Sequence, residues 1–125
     1  MRLLLDTHIF IWSVAADPRL PQQAREMMLE ASEVFVSSAS IWEAAIKAAL
    51  GKLDVDIDHL ASAIASSGFT ELPVRAKHAV SVRSLPPIHN DPFDRLLIAQ
   101  AMTEPLHLLT ADEQLSAYSD LVCRV

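Results

Sequence analysis

Glycine is almost missing from these 125 residues: there are two, Gly51 and Gly68, so no glycine-rich loop exists to cradle phosphates. Cysteine is scarcer still. Cys123 stands alone, which rules out an intrachain disulfide and makes a reducing cytoplasm the expected compartment. Five histidines are scattered with no HxxxH spacing, so no histidine zinc site is expected. No apolar run approaches the ~20 residues that a membrane span requires. The N-terminus shows no leader-like apolar region followed by a cleavage site, and none is expected. Basic residues are outnumbered 10 to 16, for a net charge of −6 and a pI near 5.2. That sign does not suit a protein that grips nucleic acid with a broad basic face. Arg75, Lys77, Arg83 and Arg95 still leave room for a modest basic rim beside Asp91 and Asp94. An acidic surplus also suits a basic partner protein.

Apolar residues are plentiful, at 51% with a mean hydropathy of +0.26, and much of that is alanine suited to close helix packing. The length fits one domain, 1–125, with one core. Leu3-Leu4-Leu5 is a short apolar run of the kind that a central parallel strand buries on both faces. It ends on Asp6, and a helical segment follows from Thr7 to about Ala16. A helix opens at Pro21, a strand is expected over Glu33–Ser37, and a strongly helical run from about Ala39 to Leu50 ends at Gly51. Leu53 to Asp58 reads as loop or edge, with Asp58 capping a helix through about Ala65. A weak strand (Phe69–Leu72), a short helix (Val74–Val82) and a loop from Pro86 to Asp91 come next. The most apolar helix spans Pro92–Met102. The chain finishes with a strand at Leu106–Thr110, a short helix at Ala111–Leu115 and a strand at Leu121–Cys123. Strands alternating with helices predict an α/β fold, a parallel sheet with helices on both faces.

Acidic residues recur in one context. Asp6 ends the first strand. Glu43 lies one turn into the helix after the second, Asp94 one turn into the Pro92 helix, and Asp112 follows the Leu106–Thr110 strand. In parallel α/β sheets the carboxyl ends of the strands face the functional crevice, so the four carboxylates should gather at one edge. Like charges so placed repel one another unless a cation lies between them. A hard divalent ion with oxygen ligands, Mg²⁺ or Mn²⁺, fits an all-carboxylate site and can activate water for phosphodiester cleavage. Helix capping competes with this reading. Ser40–Glu43, Asp91–Asp94 and Thr110–Glu113 all have capping-box spacing, and Asp91, directly before Pro92, reads first as an N-cap.

Lys47 is an i,i+4 partner for Glu43 that could also orient a carboxylate or meet a phosphate, and Arg95 beside Asp94 has the same double reading. His8 and His89 are candidates for touching substrate. Asp54-Val55-Asp56-Ile57-Asp58 begins like an EF-hand loop, but His59 and Ala65 stand where glycine and glutamate are needed. Ser37, Ser38 and Ser40 lack a nucleophile elbow, which argues against a serine hydrolase.

Leu4-Leu5-Asp6-Thr7-His8, Ser38-Ala39-Ser40-Ile41-Trp42-Glu43, Asp91-Pro92-Phe93-Asp94-Arg95-Leu96-Leu97-Ile98-Ala99 and Leu109-Thr110-Ala111-Asp112 together resemble the PIN-domain family. Within it they are similar to the stand-alone VapC-type toxins of bacterial toxin–antitoxin pairs. The resemblance runs over essentially the whole chain. It implies a three-layer α/β/α sandwich around a mostly parallel sheet of about five strands. It also implies Mg²⁺- or Mn²⁺-dependent endoribonuclease activity on RNA, a cognate antitoxin and a homodimer. Asp6, Glu43 and Asp94 match the core acidic positions, Asp112 the more variable fourth, and Thr7 and Thr110 the hydroxyls that order the site. The implied chemistry is hydrolysis by a metal-activated water that leaves 5′-phosphate and 3′-hydroxyl ends.

Two other functions fit parts of the pattern. An aspartyl-phosphate phosphatase also begins from an aspartate at a strand end, but it needs a second aspartate where His8 stands. A catalytically silent PIN-like module would use its acidic cleft only to bind a basic protein.

Overall fold

The computed structural model describes residues 1–125. Five strands build the sheet: β1 (Arg2–Leu5), β2 (Glu33–Ser37), β3 (Thr70–Leu72), β4 (His107–Thr110) and β5 (Val122–Arg124). Their spatial order is β3-β2-β1-β4-β5, and every neighbouring pair is parallel, so the sheet is wholly rather than mostly parallel. Leu4 is in register with Phe35 on one side and Leu108 on the other.

Alternation along the central strands sorts their side chains into two cores. Leu3, Leu5, Val34, Val36 and Leu109 pack on one face with Ile9, Phe10, Ala24, Ala44, Leu60 and Ile64. These come from α1 (Thr7–Val14), α2 (Gln22–Glu30), α3 (Ser38–Ala49) and α4 (Ile57–Ser66). Leu4, Phe35, Leu72 and Leu108 pack on the other face with Leu97, Ile98 and Ala101 of α6 (Pro92–Thr103) and with Leu115 and Tyr118. α5 (Ala76–Ser81) lies against α6. Burial on both sides of the sheet is why the strands read as unbroken apolar runs. The α/β/α sandwich expected from the sequence is the one observed.

Local differences have local causes. α4 is capped by Asp56, whose carboxylate accepts the His59 N–H at 3.1 Å, and Asp58 falls in the first turn instead. α3 starts at Ser38, with Ser37 as its cap, so Ser40 and Glu43 lie inside the helix and form no capping box. Their side chains are left for other partners. The stretch from Ala111 to Leu115 is no α-helix: after Asp112 a 3₁₀ turn runs over Glu113–Ala117. Gly51 and Gly68, at φ +72° and +80°, occupy the left-handed turns that end α3 and α4.

β1 leads to β2 and β3 on one side, and β4 then returns to the other side of β1. The strand order reverses there, which opens a crevice beyond the carboxyl ends of β1 and β4. No helix is long and apolar enough to cross a membrane.

Candidate active site

Asp6 stands at this crevice, where its backbone still belongs to the sheet: its N–H donates to the Leu109 carbonyl at 3.0 Å. The side chain, 6% exposed, has one hydrogen bond to each oxygen. Oδ1 accepts the His8 N–H at 2.7 Å, capping α1, and Oδ2 accepts the Thr110 hydroxyl at 2.6 Å. Capping and functional placement therefore coincide in one carboxylate. Thr110, fully buried, also accepts the Asp112 N–H at 3.0 Å, so a single hydroxyl ties the ends of β1 and β4 together.

Glu43, 3% exposed, comes in from α3. Its Oε1 accepts the Thr7 hydroxyl at 2.8 Å, and the same hydroxyl lies 2.9 Å from Ser40 Oγ. Its Oε2 meets Lys47 Nζ at 2.7 Å. Glu43 together with the more distant Asp91 and Asp94 holds the Lys47 ammonium above its ordinary pKa. Asp91 is the N-cap that its position before Pro92 suggests, accepting the Phe93 and Asp94 N–H groups at 2.8 and 3.3 Å. Asp112 caps the 3₁₀ turn through the Gln114 N–H at 2.9 Å and is more open than Asp6, Glu43 or Asp94.

Asp94 sits among all of these. Burial, then the charges of Asp91, Asp6, Glu43 and Asp112 in that order, push its carboxyl up from 3.8 to about 7. One side chain thus senses every acidic position singled out in the sequence. The expected gathering of carboxylates is real.

His89, a candidate in the sequence for touching substrate, does reach the acids: its Nε2 lies 3.7 Å from Asp94 Oδ2 and 3.6 Å from Asp112 Oδ2. One sequence reading needs amendment. Arg95 does not face the acids as a phosphate contact would. Its guanidinium is spent on the carbonyls of Val82, Leu85 and Pro86 at 3.3, 3.3 and 2.8 Å, and on the Tyr118 hydroxyl at 3.2 Å. Lys77 is likewise engaged, with Glu104 at 3.3 Å. Tyr118 carries no sequence signal for this site, since only the tertiary fold brings it there, while Ser40, flagged in the sequence with Glu43 as a capping pair, meets the Thr7 hydroxyl instead. His8 lines a shallow groove with Asp6, Trp12, Ala111 and Asp112, its ring 5.9 Å from that of Trp12.

Oxygen donors of hard character dominate this set, and the repulsion felt at Asp94 is what a cation would relieve. The residues fit a divalent metal ion. The lone cysteine is distant in chemistry as well as in role: burial raises its thiol pKa, which disfavours the thiolate.

Comparison with known proteins agrees with this geometry. Residues 3–121 match the PIN domain family. Ribonuclease VapC22 of Mycobacterium tuberculosis is 31% identical over 122 residues, spanning 93% of this chain and 91% of that protein. Among solved structures, VapBC2 from Rickettsia felis bound to a promoter DNA fragment superposes with a TM-score of 0.70 at 17% identity, covering 98% of this chain and 96% of the other. DNA-bound VapBC from Salmonella typhimurium gives 0.68 at 16% identity, with 100% and 97% covered. At such identities the structural likeness speaks for the fold. Family match, relative and fold converge: the chain belongs to the PIN domain family.

Proposed function

We propose that this protein is a metal-dependent endoribonuclease, the toxin of a type II toxin–antitoxin pair, built as a single PIN domain over residues 1–125. The observation that carries the reading is Asp94, half-buried within reach of four other carboxylates and driven to about 7 by its burial and then by their charges. A bland set of helix caps has no need to aim at a common point. The relative named a ribonuclease supplies the reaction class.

Asp6, Glu43, Asp94 and Asp112 would hold the ion, with Mg²⁺ or Mn²⁺ favoured by all-oxygen donors. A bound ion of this kind supplies a nucleophile from water at neutral pH and offsets the charge that builds on the phosphate. The chain's own residues supply geometry. Thr110 and the His8 N–H fix both oxygens of Asp6, and Thr7 and Lys47 fix those of Glu43, so that neither carboxylate rotates freely. Asp91 orders the first turn of α6 and thereby the direction of Asp94. Hydrolysis along this route leaves 5′-phosphate and 3′-hydroxyl ends.

The VapBC complexes are toxin–antitoxin assemblies, and a cognate antitoxin is the partner proposed for this chain. A homodimer is proposed on its exposed apolar side chains. Trp42, Ile46 and Leu50 form an i,i+4 stripe along α3, at 60, 38 and 63% exposure. The cytoplasm, where RNA is met, is the proposed location.

The test is direct. Purified protein freed of any partner is incubated with mixed bacterial RNA under Mg²⁺, Mn²⁺ or EDTA, beside Asp6→Asn. Discrete cleavage that requires metal and vanishes in the variant is the expected result. Cleavage that survives both EDTA and the substitution would overturn the assignment.

A further inference from the structure

The loop that leads into α6 delivers one histidine to the acidic cluster, and its hydrogen bonds decide which ring nitrogen can do what. Building on the ribonuclease reading, we propose that His89 is a substrate-contacting hydrogen-bond donor. It offers Nε2–H to a phosphate oxygen of RNA beside Asp94 and Asp112, and it is not a ligand of the divalent ion.

The tautomer comes first. His89 Nδ1 accepts the Asp91 N–H at 3.0 Å. An imidazole whose Nδ1 is an acceptor carries its hydrogen on Nε2. Nε2, Asp94 and Asp112 cluster closely enough to suggest three ligands to one ion, their atoms all within 4.8 Å of one another. The hydrogen argues otherwise. Ligation through Nε2 would require moving that hydrogen to Nδ1, which would break the bond from Asp91, the residue that caps α6.

Position comes second. At 3.7 and 3.6 Å, Nε2 is too far from either carboxylate for a hydrogen bond, so its N–H is not consumed by the acids it faces. The ring is one-fifth exposed and lies at the rim of the cluster. A phosphate approaching five acids is repelled until a cation compensates them. A neutral donor adds attraction for the anionic oxygen without competing with the ion for ligands, as a second ammonium beside Lys47 would.

Support comes third. The His89 N–H donates to the Tyr118 hydroxyl at 2.8 Å, and that hydroxyl lies 3.4 Å from the His89 carbonyl. Arg95 holds the same hydroxyl at 3.2 Å while gathering the carbonyls of Val82, Leu85 and Pro86. Arg95 and Tyr118 are therefore positioning residues: they fold the loop back on α6 and set His89 at its height above the acids. This gives the otherwise unaccountable engagement of Arg95 a purpose at the site it does not touch.

The experiment compares wild type with His89→Ala and with His89→Gln, which restores an N–H donor near Nε2. Calorimetric titration with Mn²⁺ should give affinities within about threefold for all three, whereas loss of a true ligand weakens binding roughly tenfold or more. Nitrogen-15 spectra of the histidine rings should keep the hydrogen on Nε2 when Mg²⁺ is added. RNA cleavage by His89→Ala should fall roughly 10- to 100-fold in kcat/KM, as expected for losing a hydrogen bond to a charged group, and His89→Gln should recover most of it. Tyr118→Phe should fall between the two. A tenfold loss of Mn²⁺ affinity in His89→Ala, or transfer of the hydrogen to Nδ1 with Mg²⁺, would make His89 a ligand and overturn the proposal. Equal loss of cleavage in the Ala and Gln variants would overturn it too, reducing His89 to a loop former. Should the wild-type chain cleave no RNA with any metal, the ribonuclease reading fails. The Mn²⁺ and nitrogen-15 arms would still decide between donor and ligand.

Discussion

Two histidines in this molecule are locked in the same way and end in opposite surroundings. His78 Nδ1 accepts the Arg75 N–H at 2.9 Å, and His89 Nδ1 accepts the Asp91 N–H at 3.0 Å. Each ring thus presents Nε2–H outward. For His78 that hydrogen meets one acid, Glu104, at 2.5 Å, the ring is fully buried, and Lys77 completes the charge balance. For His89 it faces two acids and bonds to neither. The carboxyls respond in opposite directions. His78, with Lys77, holds Glu104 below its usual value, while burial and like charge drive Asp94 up to about 7. A network whose charges are paired stabilises the fold. One with surplus negative charge and a free donor is prepared for something from outside.

The sharpest break in this comparison is Asp94→Asn. It should lower metal-dependent RNA cleavage at least about a hundredfold, the scale of losing a group that stabilises developing charge. Above pH 7 it should also raise the metal-free melting temperature, because it removes a half-buried charge that four neighbours oppose. Cleavage assays and thermal melts on one preparation give both readings. His78→Ala should do the reverse. Losing a fully buried ring and its bonds should cost about 2–4 kcal/mol of stability, measured by urea unfolding, with cleavage unchanged wherever the protein remains folded.

The two carboxyls also predict opposite pH slopes. Without metal, folded Asp94 keeps its proton up to about 7, while the unfolded chain loses it near 3.8. Its contribution is therefore fully present below 3.8 and lost as pH rises through about 7. Glu104, held below its ordinary 4.5, contributes stability above that value and loses it as pH falls through its lowered folded pKa. Urea midpoints measured across pH should sag on both sides. Mn²⁺ or Asp94→Asn should remove only the neutral-side sag, and Glu104→Gln only the acid-side one. A neutral-side slope that persists in Asp94→Asn would mean another group titrates there.

Much of this architecture can be read from the chain because it is written locally. Leu3-Leu4-Leu5 has to be buried on both faces, and an aspartate after such a strand has to point into the crevice. Glu43 and Asp112 follow strands as Asp6 does, so parallel topology alone gathers these three, whereas Asp94 follows a loop and joins them because α6 packs on the sheet with its first turn at the same edge. What escapes is decided by distance in sequence or by rotation of a helix. Asp56 and Asp58 are equivalent as caps until Leu60, Ala63 and Ile64 have to face the core, which favours Asp56. Ser40 and Glu43 look like a capping box only if α3 starts a turn later than it does. Arg95 beside Asp94 looks like a phosphate contact because nothing local reveals that the Val82–Pro86 carbonyls return to meet it. The likeness of four motifs to a known family fixed the reading of the acids, but it held no information on the tautomer of His89.

Lys47 offers the smallest effect and the finest discrimination. Its ammonium, 38% exposed, is tied to Glu43 at 2.7 Å and feels Asp91 and Asp94 as well, so without metal it is the only cation on the cluster. As a half-open i,i+4 pair it should contribute only about 0.5 kcal/mol to stability. Lys47→Met should therefore shift the metal-free urea midpoint only slightly downward. Mn²⁺ binding should move the other way, tightening modestly, since the ion no longer shares Glu43 with a positive charge nearby. If Mn²⁺ binding weakens instead, Lys47 acts chiefly by holding Glu43 in its ligating orientation, and geometry outweighs charge at this corner of the site.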